Sequence, residues 1–408
     1  MKESSALNVV GIRSYVLVTI AYWGFTVTDG ALRMLVLLYF HALGYSPLEV
    51  AMLFLFYEVF GIVTNLFGGW IASRWGVKLT LYGGIAMQIV ALLLLTPVNE
   101  NWAIALAVPY VMCAQAISGI AKDLTKMSSK SAIRLVIPRD AQSLLFRWVA
   151  ILTGSKNALK GVGFFLGGLL LSAVGYVNAL LVMAIGLSIV LLSSGWLPAQ
   201  MGKGKAKVKF RQLLSKSLEI NVLSAARFFL FGARDVWFVV GLPVFLYGTL
   251  GWSFEQVGGF LALWVIGYGL VQSLAPMLLR QIGSGKSPQA STIRFWTGIL
   301  ILVPMAIALT LQLGYAPAPT IVVGLLLFGI IFAINSAVHS YLVLAYTEDD
   351  KVALNVGFYY MANSGGRLAG TVLSGLVFQL YGLIGCLWIS ALFVLLAEIA
   401  TLRLPEPN

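Results

Sequence analysis

The stretch that decides the fold is LGYSPLEV at Leu43–Val50, because it returns as LGWSFEQV at Leu250–Val257. The two copies lie 250 − 43 = 207 residues apart. The same offset aligns identical residues farther along each half: Gly163, Leu166, Gly168, Leu169 and Gly175 with Gly370, Leu373, Gly375, Leu376 and Gly382. The sequence therefore predicts two related halves that share one internal architecture.

The composition places most of this chain in lipid. Of its 408 residues, 60% are hydrophobic and only 10% are charged, and the mean hydropathy is +0.92. A soluble domain of this size has too little interior to bury so much apolar surface. Apolar runs of about twenty residues, long enough to cross about 30 Å of hydrocarbon, recur along the chain. The first run, Tyr15–Phe40, is too long and interrupted for a cleaved signal peptide.

The apolar runs predict an all-α membrane protein in two bundles. The polar connector 198–218 separates an N-terminal six-helix bundle, 1–197, from a C-terminal six-helix bundle, 219–408. We predict about twelve spans, near 14–40, 47–72, 78–97, 101–122, 146–173, 176–197, 219–248, 254–280, 292–313, 317–345, 353–380 and 382–402. Two related halves of apolar helices are typical of secondary transporters, which hold their cargo between the halves.

The net charge of +12 reflects orientation in the membrane. Basic residues concentrate in alternate loops, among them the connector (Lys203–Lys216), while the loops at 41–45 and 175–178 carry almost none. The positive-inside rule then predicts that both termini and the connector lie in the cytoplasm. This reading accounts for the basic residues without a nucleic-acid partner.

The sequence offers no sign of a cofactor, a metal site or an enzyme. Cys113 and Cys386 each lie inside an apolar span, with no disulfide framework and no metal-ligand spacing. Gly202-Lys203 lacks the remainder of a phosphate-binding loop. A membrane-embedded transferase, one alternative, needs a nucleophile–base or metal constellation, and the chain has only two histidines. We therefore expect transport that is not driven by nucleotide hydrolysis.

Two motifs resemble the major facilitator superfamily. Residues 69–78 read GWIASRWGVK, similar to the family's loop signature G-x-x-A-D-R-x-G-x-K, with Ser73 in place of the usual aspartate. Residues 163–168 read GFFLGG, similar to the antiporter-type pattern G-P-x-x-G-G with Phe164 in place of the proline. Small residues at this spacing let helix backbones approach closely. The resemblance implies alternating access and gives a gating role to Gly69, Arg74, Gly76 and Lys78.

Three stretches narrow this resemblance: TDGALRMLVL at 28–37, LGYSP at 43–47 and AKDLTKMSSK at 121–130. They resemble the organoarsenical efflux permeases of bacterial arsenic-resistance operons, the ArsJ family, and the likeness runs through nearly the whole chain. The resemblance implies outward transport of 1-arseno-3-phosphoglycerate, and we expect a monomer in the bacterial inner membrane. It also implies a functional partner, the glyceraldehyde-3-phosphate dehydrogenase that makes this compound when it accepts arsenate in place of phosphate.

Charges inside the spans are the candidate site, because a central charge costs about 2.5–3.5 kcal/mol on insertion scales. Asp29 and Arg33 lie four residues apart, so we expect an ion pair that is either structural or opened by an arriving anion. Arg234 and Asp235 are adjacent and point about 100° apart, so we expect them to face different partners. Arg33 and Arg234 are predicted to clamp one phosphoryl-like group, which suits the guanidinium fork.

A second set of cations is predicted to take the other end of the cargo. Lys156 and Lys160 share one helix face, and the offset of 207 relates them to Asn363 and Arg367. The alternative for such lysines is snorkelling to the membrane interface. We expect Lys160 and Arg367 to bind the anion and Asn363 to add hydrogen bonds, with Lys156 nearer the cytoplasmic end. Lys122 is expected at the cavity mouth, where it steers anions inward.

Four titratable residues are candidates for proton coupling, with a structural ion pair or hydrogen bond as the alternative for each: Asp29, Asp235, Glu58 and His339. Three other functions stay open at this point. A drug/proton antiporter of the same superfamily should favour buried carboxylates and aromatic residues over cations. Another organophosphate carrier would use the same arginines, and an anion channel would differ in showing unitary conductance.

Overall fold

The computed structural model describes residues 9–136, 142–193, 195, 217–282, 288–346 and 352–405, and every regular element among them is helical. The helices are α1 (Val9–Ala42), α2 (Pro47–Leu53), α3 (Leu55–Leu95), α4 (Ile104–Val136), α5 (Gln142–Ser193), α6 (Leu218–Phe238), α7 (Gly241–Val244), a π-helical turn (Phe245–Thr249), α8 (Phe254–Ile282), α9 (Ala290–Gln312), α10 (Pro317–Ala345) and α11 (Val352–Thr401).

Three of these helices are pairs of spans joined without a loop. The backbone of α5 leaves helical geometry at Gly175 (φ 77°), and that of α11 leaves it at Gly382 (φ 63°). Such positive φ angles favour glycine, which has no Cβ to clash with the backbone. The two positions are equivalent in the repeat, since 175 + 207 = 382. A similar break at Gly76 (φ 80°) divides α3.

The chain is a multi-pass membrane protein. Within the described residues, nine segments are long and apolar enough to cross a membrane. Two of them, Gly154–Ser193 and Gly357–Thr401, each contain one of the glycine turns, so the count of crossings becomes 9 + 2 = 11. Helix α1, which is 34 residues long, is not among the nine segments, so its crossing stays a prediction. The count agrees with the predicted all-α architecture.

The internal repeat extends to individual hydrogen bonds. The Ser46 amide donates to Glu49 Oε2 at 2.8 Å, and the Glu49 amide donates to Ser46 Oγ at 3.3 Å. In the second half the Ser253 amide donates to Gln256 Oε1 at 2.9 Å, and the Gln256 amide donates to Ser253 Oγ at 3.3 Å. Both stretches are capping boxes that start a helix. The paired sequences identified above therefore form the same local structure.

Two seams join the halves. In the first seam α2 and α3 pack on α11, and in the second α5 packs on α8. A side chain at Gly168 would collide with the carbonyl oxygen of Phe254, and one at Gly375 would collide with that of Pro47. These contacts are equivalent, because 168 + 207 = 375 and 47 + 207 = 254. A pseudo-twofold relation thus governs how the halves meet.

The glycines of the antiporter-like motif bring α5 close to α1. A side chain at Gly163 would meet the carbonyl oxygen of Val27, and one at Gly167 would meet that of Ala31. The close backbone approach predicted for this motif is confirmed. It places Lys160, one turn before Gly163, beside α1, where its carbonyl oxygen lies against Gly30.

Candidate functional site

Five charged side chains form a continuous string between the halves. Arg33 (α1) donates from Nη1 and Nη2 to Glu58 Oε1 (α3), both at 3.3 Å. Arg367 (α11) donates from Nη2 to the same Glu58 oxygen at 2.6 Å. Its Nε donates to Asp235 Oδ2 (α6) at 3.3 Å, and Arg234 Nε donates to Asp235 Oδ1 at 2.6 Å. The string joins residues that are distant in sequence, and Glu58–Arg367 crosses the first seam.

The carboxylates of this string are buried and its cations are partly exposed. The side chains of Glu58 and Asp235 are each 1% exposed, whereas those of Arg33, Arg234 and Arg367 are 11%, 15% and 16% exposed. Three guanidinium groups thus share two carboxylates. The accessible edge of the string is cationic, which suits an oxyanion that bonds to several N–H groups at once.

The predicted Asp29–Arg33 pair is wrong. Asp29 Oδ1 accepts a hydrogen bond from Tyr57 Oη at 2.6 Å, and Arg33 pairs with Glu58. The guanidinium lies 5.2 Å and 5.5 Å from the ring centroids of Phe54 and Tyr57, so it leans toward α3. A neighbouring helix therefore supplies the partner that we expected one turn away on α1.

The expectation that Arg234 and Asp235 face different partners is also wrong. The Arg234 side chain is long enough to curl back onto the carboxylate of the next residue, which also accepts from Arg367. Its guanidinium carbon lies 4.8 Å from the ring centroid of Phe231 and 5.7 Å from that of Phe332. The backbone directions do diverge, but side-chain length and the aromatic surface decide the contact.

Lys160 has a different environment from its repeat partner Arg367. Its Nζ lies 5.6 Å from the ring centroid of Phe164, and among the described residues no hydrogen bond or ion pair engages it. Asp29 is the acidic group that acts on it most strongly, while the positive charges of Arg367, Arg33 and Lys156 disfavour its own positive charge. Lys160 is therefore a partly buried cation that a ligand carboxylate, phosphate or arsenate group can pair with.

Lys122 lies against an aromatic ring of α3. Its Nζ is 3.9 Å from the ring centroid of Tyr57, the residue that donates to Asp29. The cause is the close packing of α4 on α3, where a side chain at Gly119 would meet the Tyr57 backbone. Lys122 therefore lies beside the Tyr57–Asp29 contact, and its role in steering anions at a cavity mouth stays a prediction.

At one position along its length, each seam has a polar contact, and the two contacts are equivalent in the repeat. Asn65 Nδ2 donates to Ser364 Oγ at 3.0 Å across the first seam. Asn157 Nδ2 donates to Gln272 Oε1 at 3.3 Å across the second. These contacts are related by the repeat, because 65 + 207 = 272 and 157 + 207 = 364. The contacts of Gly168 with Phe254 and of Gly375 with Pro47 are a second equivalent pair, at another position along the seams.

Between these two pairs of equivalent contacts, the seams differ from one another. The first seam holds the Glu58–Arg367 ion pair. The equivalent positions in the second seam are Val265 and Lys160, because 58 + 207 = 265 and 160 + 207 = 367. The repeat therefore supplies a cation to both seams but a carboxylate only to the first. The equivalent positions of the second seam therefore hold a positive charge and an apolar residue.

Two predicted residues lie away from the charge string. Asn363 Oδ1 accepts from Arg227 Nε at 3.0 Å. His339 is fully buried, and among the described residues neither ring nitrogen has a hydrogen-bond partner. Arg227 was not among the predicted site residues. Its signal in the sequence is a charge in an apolar span, 234 − 227 = 7 residues from Arg234 and thus two turns away on the same face.

A buried polar cluster around Asp123 was also missed. Asp123 is 1% exposed and accepts from Lys126 Nζ at 2.6 Å and from Thr64 Oγ1 at 2.7 Å. Lys126 Nζ also donates to Asn65 Oδ1. Because Asn65 reaches Ser364, the cluster is connected to the other half. Its signal was the spacing of Asp123 and Lys126, three residues apart on one helix.

The gating motif is described in part. Gly76 adopts the turn at the break in α3, and Lys78 Nζ donates to the carbonyl oxygen of Gly195 at 3.1 Å. The side chains of 68–75 lie outside the described residues, so the roles of Gly69 and Arg74 stay predictions.

Comparison with known proteins agrees with this architecture. The family model described as "Major Facilitator Superfamily" matches residues 15–309. A bacterial homologue of the iron transporter ferroportin, in an inward-facing state, is 13% identical with a TM-score of 0.71, covering 96% of this chain and 98% of that one. A mutant of the nucleoside transporter NupG is 15% identical with a TM-score of 0.71, covering 97% and 99%. At such identities the likeness concerns the fold alone.

The ferroportin homologue in its outward-facing state matches with a TM-score of 0.67 at 15% identity, covering 96% of this chain and 99% of that one. No curated protein matches the sequence. The resemblance to organoarsenical permeases therefore stays a prediction.

Proposed function

Because this chain belongs to the Major Facilitator Superfamily, we propose that it is a secondary transporter that exports a small organic polyanion by alternating access. The observation that carries the proposal is the charge string, in which Arg33, Arg367 and Arg234 share Glu58 and Asp235. An anion that enters between the halves meets guanidinium groups from both of them. Such a site binds its cargo by closing on it, which is what alternating access requires.

The balance of charge in this region supports a cargo with several negative charges. Among the residues that the structure describes, eight cations lie along the inner parts of the spans: Arg33, Lys122, Lys126, Lys156, Lys160, Arg227, Arg234 and Arg367. Four carboxylates accompany them: Asp29, Glu58, Asp123 and Asp235. The excess is 8 − 4 = 4 positive charges. Charge inside a membrane is costly unless it is compensated, so a polyanion is the favoured occupant.

The most specific form of the proposal is export of 1-arseno-3-phosphoglycerate. Its support is the family resemblance, together with a site that suits a tetrahedral oxyanion at each end of a short molecule. Arsenic in this compound is pentavalent and bound to oxygen, so it is recognised as a phosphoryl group is, by the guanidinium fork. The proposal makes glyceraldehyde-3-phosphate dehydrogenase the source of the cargo. It places a monomer in the bacterial inner membrane with both termini in the cytoplasm.

In this mechanism Glu58 occupies the place that the cargo takes. It holds Arg33 and Arg367 while the site is empty, and an arriving oxyanion competes for both guanidinium groups. When Glu58 is displaced, the ion pair across the first seam opens, which links binding to the movement of one half against the other. The released carboxylate, with Asp29 and Asp235, is then available to take up a proton. His339 is a weaker candidate for coupling because no described hydrogen bond links it to the string.

Other cargoes of this fold fit the site less well. The described residues contain no group of three or more His, Cys, Asp or Glu that could hold a metal ion such as iron. A nucleoside has no charge to pair with Lys160. A drug/proton antiporter is disfavoured because cations outnumber carboxylates. Another organophosphate carrier is the second candidate, since the same arginines serve any phosphoryl group.

The proposal is tested in an arsenate-sensitive bacterial host. The transporter is expressed with and without glyceraldehyde-3-phosphate dehydrogenase, and arsenate resistance and cell-associated arsenic are measured. We expect resistance that needs both proteins and is lost in Arg234→Ala. The matched control is Arg403→Ala, an exposed arginine at the end of the last helix, which should retain resistance. No protection by wild-type protein present in the membrane would contradict the arsenic cargo and leave another organophosphate.

A further inference from the structure

Arg227 is a buried cation whose partners in the described part of the chain are all neutral. It is 4% exposed, and its Nε donates to Asn363 Oδ1 at 3.0 Å. Its Nη1 donates to Ser336 Oγ at 3.0 Å, and its guanidinium carbon lies 3.9 Å from the ring centroid of Phe231. No carboxylate pairs with it among the described residues, in contrast to the three arginines of the charge string. A buried charge of this kind calls for a counter-ion.

Hydrogen-bond donors crowd the same place. Arg227 Nη1 at 3.0 Å, Tyr268 Oη at 3.3 Å and Gln272 Nε2 at 3.3 Å all point at the single hydroxyl oxygen of Ser336. A hydroxyl has two acceptor lone pairs and one proton of its own to donate. Arg227 and Gln272 can use both lone pairs, although Arg227 Nη1 also reaches the Ser336 carbonyl oxygen at 3.4 Å. The Tyr268 hydroxyl then accepts the Ser336 proton, and its own O–H lacks an acceptor at Ser336. Donors exceed acceptors around Ser336, which is fully buried.

His339 adds a further donor. It follows Ser336 by three residues on α10, and Arg227 is the charge that acts on it. Both ring nitrogens are buried without a hydrogen-bond partner in the described structure, although a neutral imidazole always carries one N–H. Buried polar groups are as a rule satisfied, so an orphan donor beside an unpaired cation indicates a missing acceptor.

We propose that Arg227, Tyr268, Gln272, Ser336 and His339 form a second oxyanion subsite, here called the donor cluster, which takes the far phosphoryl-like group of the cargo. The inference rests on the proposed polyanion transport and assigns one end of the molecule to each place. The near group binds the charge string and the far group binds the donor cluster. A negatively charged oxygen supplies the acceptors and the counter-charge that this part of the structure lacks.

The spacing of the two places suits a short molecule with two charged ends. Arg227 and Arg234 are separated by two turns of α6, a rise of about 10 Å at 1.5 Å per residue. The guanidinium carbons of Arg227 and Arg234 lie 3.9 Å and 4.8 Å from the ring centroid of the same Phe231, so a three-carbon compound with a group at each end reaches both. A compound with one phosphoryl group fills only one of the two places.

The donor cluster is also connected to the second seam. Gln272 donates to Ser336 and accepts from Asn157 Nδ2 at 3.3 Å, and Asn157 precedes Lys160 by one turn of α5. An anion that draws Gln272 and Arg227 away from Ser336 therefore acts on a contact between the halves. Occupation of the donor cluster in this way affects the second seam, as displacement of Glu58 affects the first.

The test uses two matched probes, glycerol 3-phosphate and glycerol 1,3-bisphosphate, with the purified full-length protein and isothermal titration calorimetry. We expect the wild type to bind the bisphosphate more tightly than the monophosphate by about tenfold or more. Arg227→Gln should lower the bisphosphate affinity to that of the monophosphate and leave the monophosphate affinity unchanged. Arg234→Gln should weaken the binding of both probes. Tyr268→Phe, which keeps the aromatic ring and removes one donor, should weaken the bisphosphate alone.

Two results would overturn the subsite. One is equal affinity of the wild type for both probes, which leaves the polyanion site intact but without a second place. The other is an equal loss of both affinities in Arg227→Gln and Tyr268→Phe variants whose thermal unfolding matches that of the wild type. A wild type that binds neither probe would overturn the polyanion proposal itself, and the subsite with it, so the two failures are distinguishable.

Discussion

The two seams between the halves have the same frame and different charges. At one end, Gly375 packs on Pro47 in the first seam as Gly168 packs on Phe254 in the second. Toward the other end, each seam carries one amide hydrogen bond. In the middle, the first seam has the Glu58–Arg367 ion pair, whereas the equivalent positions of the second seam are Val265 and Lys160. The repeat builds the frame, and its broken symmetry creates the binding site.

This difference assigns distinct tasks to the seams. The Glu58–Arg367 pair is buried and needs both partners, because removing one leaves an uncompensated charge that costs about 3–5 kcal/mol. The first seam is therefore held by a bond that a competing anion can replace. The second seam is held by packing and by the Asn157–Gln272 hydrogen bond, and its Lys160 remains available. In the second seam the cargo supplies to Lys160 the negative charge that Glu58 supplies to Arg367 in the first seam.

The largest expected effect comes from Glu58→Gln. Loss of the carboxylate leaves Arg33 and Arg367 without their shared partner, so we expect the free energy of unfolding to fall by about 3–5 kcal/mol. Thermal unfolding in detergent measures the change. Glycerol 3-phosphate should stabilise this variant more than the wild type, because it restores the missing negative charge. Glu100→Gln, at an exposed loop position, is the control. Equal stability of the Glu58 variant and the control would contradict the role of the ion pair.

Lys160→Gln should separate binding from stability. Because no described carboxylate pairs with Lys160, we expect the unfolding temperature to be unchanged while the affinity for organophosphate falls by about 2 kcal/mol or more. Arg367→Gln, at the equivalent position, should lower both quantities. Calorimetric binding and thermal unfolding of the two variants are compared side by side. A large loss of stability in Lys160→Gln would show that the seams are more alike than their contacts suggest.

Val265→Glu should restore the symmetry of the seams. The new carboxylate takes the position equivalent to Glu58 and competes with the cargo for Lys160, so we expect weaker organophosphate binding. A double-mutant cycle with Lys160→Gln measures the coupling, which we expect to be about 0.5–3 kcal/mol, as for residues in contact. Additive effects would mean that position 265 does not face Lys160.

The smallest effects should come from the amide contacts. Asn157→Ala removes one hydrogen bond between the halves, and we expect about 0.5–1.5 kcal/mol of lost stability. Asn65→Ala should cost more, because Asn65 also binds Lys126 and faces Asp123. Thermal unfolding of both variants checks this order. The reverse order would mean that the polar cluster around Asp123 contributes little to the first seam.

The fold was predictable because its signals are local or periodic. Length and apolarity gave the spans, and the offset of 207 residues predicted the shared turns at Gly175 and Gly382 and the paired starts of α2 and α8. The glycine motif predicted close packing of α5 on α1. These features depend on backbone geometry and residue size, which a sequence states directly.

The pairing of charges was less predictable. Sequence spacing offered Arg33 only Asp29, whereas the rotation of α3 presents Glu58 to it. The reach of Arg234 back to its neighbour depends on side-chain conformation, which helix geometry does not fix. Arg227 was overlooked although, like Arg234, it is a charge inside an apolar span; the repeat gives neither a charged counterpart, since the equivalent positions are Ile20 and Val27. Charges that break the repeat proved as informative as those that follow it.

The central claim, that the charge string binds an organic polyanion for export, is tested most directly in everted membrane vesicles. The external medium contains arsenate, glyceraldehyde 3-phosphate, NAD and glyceraldehyde-3-phosphate dehydrogenase, and the arsenic that enters the vesicles is measured. The account predicts accumulation that requires the dehydrogenase, is abolished in Arg367→Gln and persists in Arg403→Gln. Accumulation that is the same without the dehydrogenase, or the same in Arg367→Gln, would contradict it.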